Sequence, residues 1–228
     1  YLRPWLRGRD IGRWSPHWAG KYLVAIPSSS DRTSRSPWKD SRTEAEAEAI
    51  FKSSLPPIHR HLARHRDELK QRSDQGRFWW ELRSCTYYSA LERTKIIFNR
   101  FLSSPAFAWD DQGYYHNDAC YFLELDRPAL LGVMNSPLAW FYLRQTGTDL
   151  QGGYIQVFVN MIQDMPIPRC SEALMTRLDR LVSGAICPVG SASSSEPAIW
   201  SAVEEAFDLT DSEKECLAEW ITRDSQRL

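Results

Sequence analysis

Hydrophobic and polar positions follow two different rhythms along this chain. Residues 22–26 form a short apolar run that suits a strand, ended by Pro27 and Ser28 to Ser30. Ser41-Arg42-Thr43-Glu44 reads as a capping box, so the spacing predicts a helix from about 42 to 54, broken by Pro56 and Pro57. A second helix restarts near Pro57. In it Ile58, Leu62 and Leu69 make one stripe while Arg60, Arg64, Arg66 and Lys70 populate a strongly positive remainder. After the Gln75-Gly76 turn the period shifts toward two, and residues 78–82, 95–98, 106–109, 114–115 and 120–125 read as strands of a mainly antiparallel sheet. On such a strand the adjacent Trp79 and Trp80 face opposite ways, one in the core and one exposed. Residues 128–143 return to the helical period, interrupted at Asn135-Ser136-Pro137, where the helix restarts. Gly152-Gly153 leads into a strand over 154–159, and Met165-Pro166-Ile167-Pro168 is extended and closes the sheet-bearing part. Helical spacing over 171–182, a small Ser-rich linker over 189–197 and a helix launched by the Thr210-Asp211-Ser212-Glu213 capping box follow. The predicted class is α+β: a mixed, mainly antiparallel sheet flanked by helices over residues 1–168, then a C-terminal helical tail over 169–228.

The 228 residues, 43% of them hydrophobic, suffice for the core of one domain with an appendage and exclude disordered and fibrous classes. No apolar run approaches the roughly 18 residues that span a bilayer, and no signal sequence opens the chain, so a cytoplasmic protein without a membrane partner is expected. A net charge of -1 argues against a polyanionic partner only until the charges are placed. Residues 1–100 hold 20 Lys and Arg against 11 Asp and Glu, whereas residues 101–228 hold 8 against 18. Of the 28 basic residues 22 are Arg, whose fork bonds phosphate or guanine bidentately. A GC-rich genome raises arginine content everywhere, but it does not separate the charges, and the separation points to nucleic acid.

Chemistry of other kinds finds little support. The five cysteines (Cys85, Cys120, Cys170, Cys187 and Cys216) are widely spaced with no C-x-x-C pair, and read as reduced, partly buried thiols. His61 and His65 share a helical face near His59 but lack a Cys or carboxylate at ligand spacing, so no metal is expected. Adenine methylation needs a glycine-rich loop for S-adenosylmethionine and an Asp/Asn-Pro-Pro-aromatic loop at the flipped base. Pro56-Pro57, set between Leu55 and Ile58, has neither the amide nor the ring. The Asp208, Asp211, Glu213, Lys214 cluster roughly matches a metal-dependent nuclease, but its acids belong to the capping box. No catalytic residue is assigned.

Leu6-Arg7-Gly8-Arg9-Asp10-Ile11, followed by Arg13-Trp14, resembles the motif that opens the TaqI-like C-terminal specificity domain of type II restriction-modification enzymes. Further landmarks stand in that family's order. They are Leu55-Pro56-Pro57-Ile58, the run from Arg72 through Gly76 to Trp79-Trp80-Glu81-Leu82-Arg83, Lys95-Ile96-Ile97, Leu131-Gly132-Val133-Met134-Asn135-Ser136 and Pro166-Ile167-Pro168. The resemblance implies the target-recognition part of a larger enzyme, binding double-stranded DNA without chemistry of its own. The absent N-terminal methyltransferase portion would be its partner, would use S-adenosylmethionine to methylate adenine and, in fused versions, would be joined to an endonuclease. The chain itself needs no cofactor on this reading. Arg9, Arg77, Arg83, Lys95 and Arg100 are the expected DNA contacts, with Asn99 as a reader of base edges. Asp10 is expected to pair with Arg7 or Arg13 and hold the opening motif. An autonomous nuclease using the acidic tail and a protein-interaction domain are the rival readings.

Overall fold

Thr43, rather than Ser41, starts the first helix. In the computed structural model, which describes residues 1–186 and 192–226, the Thr43 hydroxyl accepts from Glu46 N–H at 3.2 Å and the Glu46 carboxylate accepts from Arg42 N–H at 2.9 Å. Thr43 is therefore the N-cap, two residues after the expected Ser41, which is buried, and Glu46 reaches back to the residue before the cap rather than closing a capping box. The chain is α+β and folds as two units: Tyr1–Pro4 with Tyr22–Ala90, and Trp5–Lys21 with the residues from Leu91 onward.

In the first unit, residues 2–4 of β1 (Leu2–Leu6) pair antiparallel with β2 (Tyr22–Val24). Helices α1 (Glu44–Ser54), α2 (Pro56–Leu62) and α3 (Arg66–Lys70) follow, the last two separated by a single 3-10 turn at Ala63–His65. Ile26, Trp38, Ala47, Phe51, Phe78, Trp79 and Trp80 make its core. Residues 78–82 are not the strand that their alternation predicts. The Glu81 carboxylate accepts from Phe78 N–H at 3.1 Å and from Trp38 Nε1 at 2.7 Å, and Arg72 donates to the carbonyls of Trp79 and Glu81. These bonds curl the segment, so both indoles enter the core, at 1% and 2% exposure, and meet nearly perpendicular at 5.3 Å. A strand's two-sided geometry no longer applies.

A short helical turn, α4 (Tyr88–Leu91), precedes the second unit's strands: β3 (Lys95–Asn99), β4 (Phe101–Leu102), β5 (Phe107–Asp110), β6 (Tyr115–His116), β7 (Cys120–Leu123), β8 (Thr148–Asp149) and β9 (Ile155–Gln156). β3 lies between β5 and β7, antiparallel to both, and β9 lies between β4 and β8. β6 pairs parallel with Trp5 and Leu6 of β1. The predicted strand over 154–159 shortens to β9, because Phe158 already precedes helix α7 (Val159–Gln163). Helices α5 (Pro128–Asn135) and α6 (Pro137–Thr146) restart at Ser136-Pro137 as expected, with the Ser136 hydroxyl accepting from Ala139 N–H.

Helices α8 (Glu172–Ile186), α9 (Ala192–Ala206) and α10 (Asp211–Ser225) complete this unit. Part of the predicted linker, residues 189–191, lies outside the described residues. The rest is helix, since Ile199, Ala202, Val203 and Ala206 form an apolar stripe whose burial outweighs the poor helix propensity of the serines and Pro197. This stripe shares one core with Ile96 and Phe98 of β3 and with Leu131 of α5. Gly132 permits the close approach of α5 and α8, because a Cβ there would meet Val182 Cγ2 at 2.6 Å.

Asn135 explains the Asn-Ser landmark structurally. Its Oδ1 accepts from Phe107 N–H at 3.0 Å and its Nδ2 donates to the Phe107 carbonyl at 2.9 Å, tying α5 to β5 inside the core. Asn135→Ala strands a buried backbone N–H, and a loss of about 1–3 kcal/mol is expected in denaturant unfolding. Asn135→Asp, which keeps the acceptor, should recover part of it where the carboxyl is protonated.

Candidate nucleic-acid interface

The opening motif forms a locked turn in the second unit. Arg7 donates to Asp10 three times: from its backbone N–H at 2.8 Å, from Nε at 2.9 Å and from its second terminal nitrogen at 2.7 Å. These bonds close a 3-10 turn over Gly8–Asp10, and the guanidinium holds the buried Asp10 carboxyl below the usual carboxylate range. Asp10 therefore pairs with Arg7. Arg13 turns instead to Glu196 at 3.2 Å and to the Pro105 carbonyl at 3.1 Å. Between the two ends of the clasp Arg9 projects exposed.

The turn abuts the end of β3. A Cβ on Gly8 would fall 2.5 Å from Asn99 Nδ2, so only glycine leaves room for the amide. Asn99 Oδ1 accepts from Phe101 N–H at 3.1 Å, which turns the chain from β3 into β4 and fixes the amide's direction. Arg100 donates its backbone N–H to Ala119 at 2.8 Å, and its guanidinium lies over the Phe101 ring at 5.5 Å and the Phe158 ring at 5.3 Å. With the Gln156 amide turned so that its oxygen faces the guanidinium, Arg100 Nε donates to it at 2.8 Å. The Gly8 turn thus packs against Asn99, with Arg9 and Arg100 as the next residues on either side of that contact and Arg100 held by aromatic stacking. Phe158 and Gln156 were not among the expected site residues. Their part arises from the β4–β9 pairing and leaves no local sequence signal.

The other expected contacts behave differently. Lys95 is a correction: it is 0% exposed, and its ammonium pairs with Asp110 and donates to the Leu91 carbonyl. A lysine so placed stabilises the sheet's interior and presents no charge to a ligand. Arg77 and Arg83 are exposed and belong to the first unit. The Arg77 guanidinium is committed to the carbonyls of Lys39, at 2.7 Å, and Ser41, at 2.5 Å. Half of the predicted positive helix face is neutralised by the acids of α1: Arg66 and His59 pair with Glu48, and Lys70 with Glu44 at 2.7 Å. Arg60 and Arg64 remain exposed, with no carboxylate at ion-pair distance among the described residues.

Among the described residues no three His, Cys, Asp or Glu side chains converge as metal ligands, and the His61 and His65 rings sit 5.8 Å apart without a third. Burial pushes the Cys120 thiol up to about 12, which keeps it protonated and unreactive at neutral pH, while Cys187 lies outside the described residues. In the acidic tail Glu213 accepts from Thr210 N–H at 2.8 Å and from its hydroxyl at 2.7 Å, which lowers the Glu213 pKa and commits it to capping α10. No helix among the described residues is long and apolar enough to cross a membrane.

No curated protein sequence matches the chain. Among solved structures it is similar in fold to the type IIL restriction-modification enzyme MmeI in complex with DNA. The TM-score is 0.54 at 12% identity, covering 100% of this chain and 31% of that one, so the chain spans about a third of that enzyme's length. The profile of the TaqI-like C-terminal specificity domain matches residues 3–167, from the strand before the Arg7–Asp10 clasp to the Pro-Ile-Pro segment. The clasped turn and the contact it makes with Asn99 are thus features of a chain that belongs to the TaqI-like C-terminal specificity domain family.

Proposed function

We propose that this chain is the sequence-specific double-stranded DNA recognition module of a type II restriction-modification enzyme and carries no catalytic residues itself. The observation behind this reading is the packing of the Gly8 turn, which carries Arg9, against Asn99 and its neighbour Arg100 in a specificity-domain chain. An Arg fork and an Asn amide are the side chains that match guanine and adenine edges in the major groove. Exposed arginines such as Arg60 and Arg64 supply phosphate contacts that set position without reading sequence.

Methyl transfer to adenine belongs, on this proposal, to a companion methyltransferase domain, which also binds S-adenosylmethionine. In fused enzymes an endonuclease is joined to it. The residues present here do not fit that cofactor: the parallel ladder between β1 and β6 is two residues long, and no described strand runs through a glycine-rich turn into a helix.

Duplexes selected from a random pool by the chain provide the test. Wild type should bind the selected duplex more tightly than a scrambled one, with affinity falling as salt rises. Asn99→Ala should narrow that preference about ten- to a hundredfold, the equivalent of about 1–3 kcal/mol of base discrimination, without changing the salt slope. A folded sample that binds no duplex at low salt would falsify the proposal and leave an interaction domain as the reading.

A further inference from the structure

The first unit contains a cleft of about 610 Å³ outside the site described above, walled by residues 27–36 on one side and 85–89 on the other. Arg32 and Arg35 line it together with the hydroxyl-bearing Ser34, Ser36, Thr86 and Ser89. Its walls are braced. Ser84 donates to the carboxylate of Asp31, which itself lines the cleft next to Arg32 in sequence. Lys39 Nζ donates to the carbonyls of Arg32 at 3.0 Å and Ser34 at 3.2 Å, holding the loop from behind. The Lys39 and Ser41 carbonyls accept in turn from Arg77, whose guanidinium rests 4.9 Å over the Phe78 ring. Two cations are therefore spent on shaping a loop, while Arg32 and Arg35 stay exposed with no carboxylate at ion-pair distance among the described residues.

Free guanidinium groups interleaved with hydroxyls on a fixed backbone are the donors that phosphate oxygens take. We propose that this cleft grips the phosphodiester backbone of duplex DNA, with Arg32 and Arg35 as contacts and Lys39 and Arg77 as positioning residues. The proposal rests on the reading of the chain as a DNA-recognition module. It gives Arg77, expected from sequence to touch DNA, an indirect role.

The experiment compares wild type, Arg32→Ala/Arg35→Ala and a charge-matched control, Arg169→Ala/Arg180→Ala, which removes two exposed arginines of the second unit. Binding of a fluorescent DNA duplex is followed by anisotropy from 50 to 200 mM salt, with circular dichroism to confirm folding. Two lost phosphate contacts make the slope of log affinity against log salt shallower by about 1.8, so the gap between wild type and variant closes by roughly tenfold over that range. The loss should be equal on selected and scrambled duplexes, and the control should keep the wild-type slope. Wild-type binding with an unchanged slope in Arg32→Ala/Arg35→Ala overturns the proposal, as does an equal change in the control. Failure of wild type itself to bind any duplex removes the underlying recognition reading instead, and this proposal with it.

Discussion

Asp110→Asn should destabilise the protein by about 3–5 kcal/mol at pH 7, the cost of leaving one member of a buried ion pair without its counter-charge. Lys95 and Asp110 are both fully buried at the β3–β5 pairing, where Lys95 stands opposite Asp110 in register. The carboxylate also accepts from Gln112 N–H at 2.9 Å and Tyr114 N–H at 3.0 Å, so it anchors the following turn as well. Burial pulls the Lys95 ammonium below its ordinary pKa, and Asp110 pushes it back up. In the variant the Asp110 contribution is gone and, of the causes that raise the pKa, only the Glu92 charge remains, so the folded pKa falls further and the native state disfavours the charged lysine. Between the folded pKa and the ordinary value the unfolded chain holds more protons than the native one, so stability rises with pH through that window. The penalty should accordingly shrink by about 1.4 kcal/mol per pH unit as the medium is made alkaline. Lys95→Met is the milder change, since Asp110 keeps two backbone donors. Urea unfolding of both variants at pH 7 and pH 9.5 reads the difference, and a pH-independent loss in Asp110→Asn would show that the turn, not the charge, carries the effect.

Phe51→Ala should cost a similar amount, about 3–5 kcal/mol, for a different reason: it opens a cavity among rings that cannot close around it. Phe51 is fully buried in the first unit, stacked on Trp80 with centroids 5.0 Å apart and met edge-on by Trp38 at 5.2 Å and His59 at 5.3 Å. Three large planar groups leaning on one ring cannot all shift inward without breaking the Trp38–Glu81 hydrogen bond. Hydrogen exchange of the α1 amides, residue by residue, should quicken sharply in Phe51→Ala and less in Phe51→Leu. Exchange unchanged by the alanine would mean that the rings repack freely.

The elements that could be read from sequence were those specified by neighbouring residues. The α10 capping box and the restart at Ser136-Pro137 depend on contacts within a few positions, and both are present; the strand over 95–98 is present as well, marked by its apolar run although its partners lie 9 to 27 residues away. Misread elements depended on distant partners. Residues 78–80 alternate like a strand, yet Trp38 and Arg72 supply the bonds that curl them. The serines and Pro197 that open α9 look like a linker until Leu131 and Val182 provide a core for Ile199 and Val203. The site divided in the same way. Arg9 sits in a recognisable motif and Asn99-Arg100 at a strand end, local features that make them candidates from sequence alone. Lys95 carries the same positive charge in sequence as any surface lysine, and only the register that sets it opposite Asp110 shows it to be interior. For the proposed contacts Arg32 and Arg35 nothing local separates a braced loop from a polar connection.

The notch at Gly8 bears on how such a module changes its taste in DNA. Asn99 fills the space where any other residue at position 8 would carry its Cβ, and a short side chain at 99 can be exchanged for another of similar size without disturbing the clasped turn. A bulkier or branched group has to leave the notch and point elsewhere. On the proposed base-reading role of position 99, a side chain longer than Asn there either turns out of the notch or displaces the opening turn, so Gly8 and residue 99 are expected to change together.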